Sequence, residues 1–150
     1  MEDNVYISIG DNFSYPDRIF TEISIHMGEY AFPYENWQDF SYSVLSSCTF
    51  ALMESTYTPR SVELCFYDGP HLLKAVIHDS QNVILTGISH DKTVCTAEVM
   101  LHELLLAIRA ALRQLQQILS DDPGELTSVT WNSDIEHNIK KINDYLKNQK

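Results

Sequence analysis

The feature that most constrains the fold is a long amphipathic stretch in the second half of the chain. Between Thr93 and Leu119 the apolar residues recur at alternating spacings of three and four, the period of one face of an α-helix. This face comprises Val94, Ala97, Leu101, Leu104, Ile108, Ala111, Leu115 and Ile118. Leucines beside it widen the stripe beyond a coiled-coil seam, which favours packing on a sheet. The pattern predicts one helix over Thr93–Leu119, about 40 Å long.

Shorter runs with alternating apolar and polar residues predict strands. Val5–Ile9 and Ile23–Met27 are expected to form a hairpin. Val62–Phe66, His71–His78 and Val83–Ile88 follow one another with short polar links. Such links favour an antiparallel meander over parallel strands joined by helices. The sequence therefore predicts one antiparallel sheet of about five strands.

Two further helices are predicted from their start signals. Asn36 followed by Asp39 resembles a capping box, so a helix is expected from Trp37 onward. Ser133 with Glu136 forms a second capping box ahead of a terminal amphipathic helix. The predicted fold is a single α+β domain over residues 1–150, with elements in the order ββαβββαα and the long helix packed across the sheet.

The charge of the chain is strongly acidic and unevenly distributed. Its 21 acidic residues against 10 lysines and arginines give a net charge of −11. Residues 1–70 hold most of this excess, because Arg18 and Arg60 are the basic residues of that half. Such a field repels nucleic acid and anionic membranes and attracts basic partners. We therefore expect a basic protein partner, with no nucleic acid and no membrane; the oligomeric state stays open.

The cysteines and histidines form no recognisable catalytic or metal-binding motif. The three cysteines, at wide spacings without C-x-x-C, predict reduced thiols and a cytoplasmic location, which the lack of a signal peptide or spanning stretch also favours. His102-Glu103 does not complete H-E-x-x-H, since position 106 is leucine. A site built by His71, His78 and His90, or by a cysteine and a histidine, requires these residues to meet in the fold. We expect no enzyme, no cofactor and no metal.

The positive signal is an acidic aromatic segment, Glu29–Tyr42. Tyrosines give a large contact area at low entropic cost, and interleaved carboxylates add charge complementarity to a basic partner. Alternatively, the core contains Phe32, Trp37 and Phe40, and the tyrosines cover a sheet edge. The predicted partner-binding residues of this segment and of the preceding turn-rich loop are Asp11, Asp17, Glu29, Tyr30, Tyr34, Glu35, Asp39 and Tyr42.

Two short motifs carry a resemblance to a known family. The run Trp37-Gln38-Asp39-Phe40 precedes Val62–Pro70, which ends in Asp68-Gly69-Pro70. In order and spacing the pair resembles a bacterial family of small W-x-D-F…D-G-P proteins associated with toxin–immunity loci, including contact-dependent growth inhibition. The resemblance spans roughly residues 23–115 and differs at Ser46–Thr49, where further tryptophans are expected.

This resemblance implies a cytoplasmic immunity protein that binds and neutralises one toxin domain. The net charge agrees with it, because nuclease toxins need basic sites to hold phosphates. The resemblance leaves the toxin's substrate open. An acidic secretion chaperone, which holds an extended segment of an effector protein in an apolar groove, is the alternative. A small enzyme is the third hypothesis.

Overall fold

The computed structural model describes residues 3–13, 19–54, 59–79, 81–120 and 127–148. Within these ranges the chain forms an α+β fold of two four-stranded antiparallel sheets and three helices. The strands are β1 (Val5–Phe13), β2 (Phe20–Met27), β3 (Tyr30–Phe32), β4 (Gln38–Asp39), β5 (Arg60–Cys65), β6 (His71–Ile77), β7 (Asn82–Ser89) and β8 (Lys92–Met100). The helices are α1 (Ser41–Met53), α2 (Leu101–Ser120) and α3 (Thr127–Lys147).

The first sheet contains β1 to β4. Its β1 and β2 pair antiparallel, with Ile7 opposite Ile25, so the predicted hairpin is confirmed. The short strands β3 and β4 both pair with β2, β3 near its end and β4 near its start. Apolar side chains alternate along β1 and β2 because one face of this sheet is buried against the core.

The second sheet is a meander in the order β5-β6-β7-β8. The predicted meander over its first three strands is confirmed, and β6 shows the reason. His71, Leu73, Ala75 and Ile77 are buried, while the residues between them are half-buried or exposed. This period of two places one face of the sheet on the core.

The prediction of one helix over Thr93–Leu119 is wrong in its first part, because residues 92–100 form β8. Cys95, Ala97 and Val99 are buried at a period of two, whereas Val94 is 51% exposed. Ala97 and Leu101 are four residues apart, a spacing that fits both one face of a helix and the period of two in a strand. The strand pattern and the helix pattern therefore overlap at these residues. The turn before β8 is formed by His90 and Asp91, both with positive φ. It lacks the Asn-Gly or Asp-Gly pair that usually marks such a hairpin.

The predicted single sheet of about five strands is consequently wrong in strand number and arrangement. In the described residues the elements follow the order ββββαββββαα instead of ββαβββαα. Besides β8, the strands β3 and β4 were not expected, because three and two residues are too few for a recognisable alternating pattern. The α+β class is confirmed.

Helix α2 carries the core-facing stripe that the sequence predicted from Leu101 onward. Leu104 and Ile108 are each 1% exposed. The helix packs against β1, α1 and α3, so it connects the first sheet with the other helices. None of the described helices is long and apolar enough to span a bilayer.

Both predicted capping boxes are wrong. Helix α1 begins at Ser41 instead of Trp37, and Phe40 at its N-cap makes no side-chain cap hydrogen bond. Helix α3 begins at Thr127, so Ser133 is an exposed residue within the helix. Its apolar stripe is nevertheless correct, because Ile135, Ile139 and Ile142 are buried.

The two sheets meet at Phe32 and at Asp3. The Phe32 ring is 1% exposed and lies 5.7 Å from the Phe66 ring. A Cβ at Gly87 would lie 2.6 Å from Phe32, so the ring packs directly on the β7 backbone. Asp3 N donates to Glu98 O at 2.7 Å, and Glu98 N donates to Asp3 Oδ2 at 3.0 Å. These contacts fix the first sheet relative to the second.

Candidate protein-binding surface

The carboxylate of Asp39 joins the two sequence motifs. Asp39 is 0% exposed, and its Oδ1 accepts a hydrogen bond from Phe40 N at 2.7 Å. Its Oδ2 accepts from Trp37 Nε1 and from the backbone N–H groups of Tyr67 and Asp68, each at 3.1 Å. Hydrogen bonds to an ionised acceptor are stronger than neutral ones, and they satisfy this buried carboxylate. Asp39 is therefore a positioning residue, with its carboxylate away from the surface.

Asp68-Gly69-Pro70 connects β5 to β6 beside Trp37. Gly69 has φ of +79°, a conformation that side chains disfavour. A Cβ on it would also lie 3.1 Å from Trp37 Cη2 and 3.1 Å from His71 Cδ2. Glycine is needed here both for its backbone and for the close approach of the indole. The W-x-D-F and D-G-P motifs thus form one packed unit.

His71 lies behind this unit in an aromatic cluster. It is 6% exposed, and its ring centroid is 4.7 Å from that of Trp37 and 5.4 Å from that of Tyr34. Its Nδ1 lies 2.7 Å from Ser89 Oγ. Burial, reinforced by His90, lowers the pKa of His71, while Asp39 and Asp68 oppose this shift. The neutral imidazole is therefore the form that the fold favours.

Of the three histidines near strand ends, His71 and His90 lie close together and His78 lies apart from them. The rings of His71 and His90 are 6.4 Å apart, while His78 follows the opposite end of β6. In the described part of the chain, no group of three or more His, Cys, Asp or Glu side chains is placed to hold a metal ion. Burial raises the pKa of the Cys95 thiol, which is the reverse of what an activated nucleophile needs.

A groove of about 310 Å³ opens in front of Trp37. We refer to it as the Trp37 groove; the residues that line it are Tyr34, Glu35, Asn36, Trp37, Gln38 and Asp68. Tyr34 is 56% exposed, and its ring meets the Trp37 ring at 49° with centroids 5.7 Å apart. The two rings therefore form an angled aromatic wall. The charged side chains of the lining, Glu35 and Asp68, are both acidic and exposed.

The other predicted binding residues lie in different places. Glu29 and Tyr30 are exposed at the start of β3, upstream of Tyr34. Asp11 is exposed, but it belongs to β1, so the predicted loop is a strand at its beginning. Asp17 lies outside the described residues. The structure thus places Tyr34 and Glu35 together in the Trp37 groove and Glu29 and Tyr30 along the segment that leads to it.

Tyr42 belongs to a separate contact between helices. It is half-buried, its hydroxyl accepts a hydrogen bond from Asn138 Nδ2 at 2.8 Å, and its ring lies 5.1 Å from that of Trp131. Burial is the main cause that raises the pKa of Tyr42. This tyrosine joins α1 to α3.

Two exposed tyrosines, Tyr6 and Tyr67, were not among the predicted partner-binding residues. Tyr6 is 56% exposed and stacks on His26, with centroids 4.3 Å apart and planes 5° apart. Tyr67 is 54% exposed, and its hydroxyl lies 2.7 Å from Ser47 Oγ. Both could have been recognised as exposed, because Tyr6 alternates with the buried side of β1 and Tyr67 alternates with the buried Leu64 and Phe66.

The charged residues described in the first half of the fold are all acidic, and Arg18 lies outside the described residues. The described residues 3–13 and 19–54 include no lysine or arginine. Their acidic residues are Asp3, Asp11, Glu22, Glu29, Glu35, Asp39 and Glu54. The second sheet and the long helices carry both signs, with Lys74, Lys92, Arg109 and Lys140 among the cations. The first sheet is therefore the source of a local negative field.

Comparison of the chain with protein-family models, with curated proteins and with solved structures gives no match.

Proposed function

We propose that this chain is an immunity protein that binds a basic toxin domain and covers its active or substrate-binding surface. The observation that carries the proposal is the charge of the first half of the fold. Its described residues include acidic side chains but no lysine or arginine. Exposed tyrosines stand beside these acids, at Tyr30 and Tyr34 next to Glu29 and Glu35. Acidic and aromatic groups together suit the capture of a basic protein surface.

A nuclease toxin is the partner that this chemistry fits best. Nucleases bind phosphates with lysine and arginine, so their substrate-binding surfaces are basic. An acidic protein that covers such a surface competes with the nucleic acid for the same charges. The resemblance of the W-x-D-F and D-G-P motifs to immunity proteins supports the same function, and the packing of the two motifs around Asp39 gives their pairing a physical reason.

The test is complex formation with a candidate basic toxin domain. Native mass spectrometry of the purified chain mixed with the folded domain should show a complex of defined stoichiometry, and the toxin's activity should fall in proportion to the complex formed. Toxin that stays fully active at a saturating concentration of the chain would contradict the proposal.

A secretion chaperone is the second candidate, and one observation favours it. A groove of about 370 Å³ between α1 and α3 is lined by Phe50, Met53 and Tyr145 together with the charged residues Glu54, Lys141 and Asp144, and more of its surface is apolar than polar. Phe50 is 62% exposed, so its ring is accessible to a client segment. A chaperone would bind an extended segment of its client, and Phe50→Ala would weaken that complex. The immunity function instead requires a folded partner and does not depend on Phe50.

A further inference from the structure

The Trp37 groove combines two recognition elements in one concave site. One wall is aromatic, formed by the exposed ring of Tyr34 and the half-buried ring of Trp37. An acidic residue lines the groove on each of the two segments of chain that form it, Glu35 in the loop before β4 and Asp68 in the connection between β5 and β6. The remaining polar residues, Asn36 and Gln38, are uncharged.

The groove is held in shape by the buried core behind it. The Asp39 carboxylate accepts hydrogen bonds from Trp37 Nε1 and from the backbone N–H group of Asp68, which holds both residues in place. His71 packs edge-on against the rings of both Trp37 and Tyr34. Asn36 adopts φ of +61°, which asparagine tolerates better than most residues. A site that is already arranged loses little entropy when a ligand enters it.

We propose that the Trp37 groove is the subsite that receives an arginine side chain of the basic partner protein. The planar guanidinium would stack on the Tyr34 and Trp37 rings and pair with the carboxylates of Glu35 and Asp68. Arginine fits this combination better than lysine, because its guanidinium both stacks on aromatic faces and matches carboxylates in a planar fork. The proposal rests on the proposed function, since it names the group by which the toxin domain is anchored.

The site is testable without the partner, with N-acetyl-arginine amide as the probe. The chain has two tryptophans, and each gives one indole N–H signal in a ¹⁵N correlation spectrum. Trp37 lines the groove, while Trp131 lies on α3 against Tyr42 and serves as an internal reference. Titration with N-acetyl-arginine amide should move the Trp37 signal along a saturable curve and leave the Trp131 signal in place. The neutral isostere N-acetyl-citrulline amide should have no effect.

Variants assign the binding to the groove. Glu35→Gln with Asp68→Asn keeps the side-chain shapes, and loss of both charge pairs should weaken probe binding about fivefold or more. Tyr34→Ala removes one of the two rings of the aromatic wall and should weaken probe binding separately. The matched control, Glu63→Gln with Asp134→Asn, neutralises two exposed carboxylates that do not line the groove and should leave binding unchanged.

The subsite is overturned if arginine amide does not move the Trp37 signal, if citrulline amide moves it equally, or if the Glu35/Asp68 variant binds like the wild type. If a toxin domain nevertheless binds tightly, the proposed function holds and the arginine subsite is wrong. Saturable binding of arginine amide by a chain that binds no basic toxin domain would support the subsite and contradict the proposed function.

Discussion

The two sheets of this protein have the same number of strands but differ in regularity and charge. In the second sheet, β6 pairs with β7 over its full length, and cations and anions are mixed. In the first sheet, β3 and β4 are short, the chain between them forms most of the lining of the Trp37 groove, and the described charges are all acidic. Both sheets bury one face in the core together with α2, and the irregular first sheet in addition carries most of the candidate binding surface.

The largest expected effect concerns the core side of this comparison. Leu104→Ala or Ile108→Ala should lower the free energy of unfolding by about 2–5 kcal/mol, because each removes a large side chain from a close-packed interior. Denaturant unfolding measures the change, and Gln114→Ala on the exposed side of α2 is the control. A loss below about 0.5 kcal/mol at both core positions would show that this face of α2 does not pack on the core.

The next prediction tests the connection between the two sheets. Asp39→Asn should cost about 2–4 kcal/mol, because asparagine has one acceptor oxygen and an NH2 donor and cannot accept all of the hydrogen bonds that the two carboxylate oxygens accept from Trp37, Phe40, Tyr67 and Asp68. Thermal unfolding together with the Trp37 indole signal measures this change. Asp134→Asn, an exposed carboxylate on α3, is the control and should change stability little. Equal stability of the two variants would contradict the structural role of Asp39.

A smaller effect should follow pH. Burial lowers the pKa of His71 below its ordinary value, so the unfolded chain binds a proton more readily than the folded one. The contribution of His71 to stability is therefore full above the unfolded pKa of 6.5 and is lost as the pH falls from there toward the lower folded pKa. His71→Asn should reduce the fall in stability between pH 7 and pH 5 measured by urea unfolding. An unchanged pH dependence would contradict this account.

The parts of the fold that follow a single clear period were predictable. The alternation in β1 and β2 and in β5 to β7 predicted the hairpin and the meander, and the stripe of α3 marked its buried side. β8 was missed because Ala97 and Leu101 fit a helical spacing as well as a strand. Its turn, at His90 and Asp91, also lacks the glycine that usually signals a hairpin.

The candidate site was predictable only where local composition marks it. Tyr34 and Glu35 belong to a segment rich in aromatic and acidic residues, so sequence reasoning found them. Asp68 and the inward role of Asp39 depend on a contact between residues 28 positions or more apart along the chain. No local pattern reveals that contact. The two motifs were paired in the sequence because together they resemble a known family. The structure shows the hydrogen bonds to Asp39 that join them.

The central claim, that the acidic first sheet captures a basic partner, is tested most directly by association kinetics. Glu29→Lys with Glu35→Lys reverses two exposed charges beside Tyr30 and Tyr34, whereas Glu63→Lys with Asp134→Lys makes the same change in net charge elsewhere on the surface. Stopped-flow mixing with the toxin domain measures the association rate. At low salt the first variant should associate about tenfold more slowly than the wild type, and rising salt should narrow this difference. The second variant should associate much closer to the wild-type rate. Equal slowing by both variants, or no slowing by either with the fold intact, would contradict the claim.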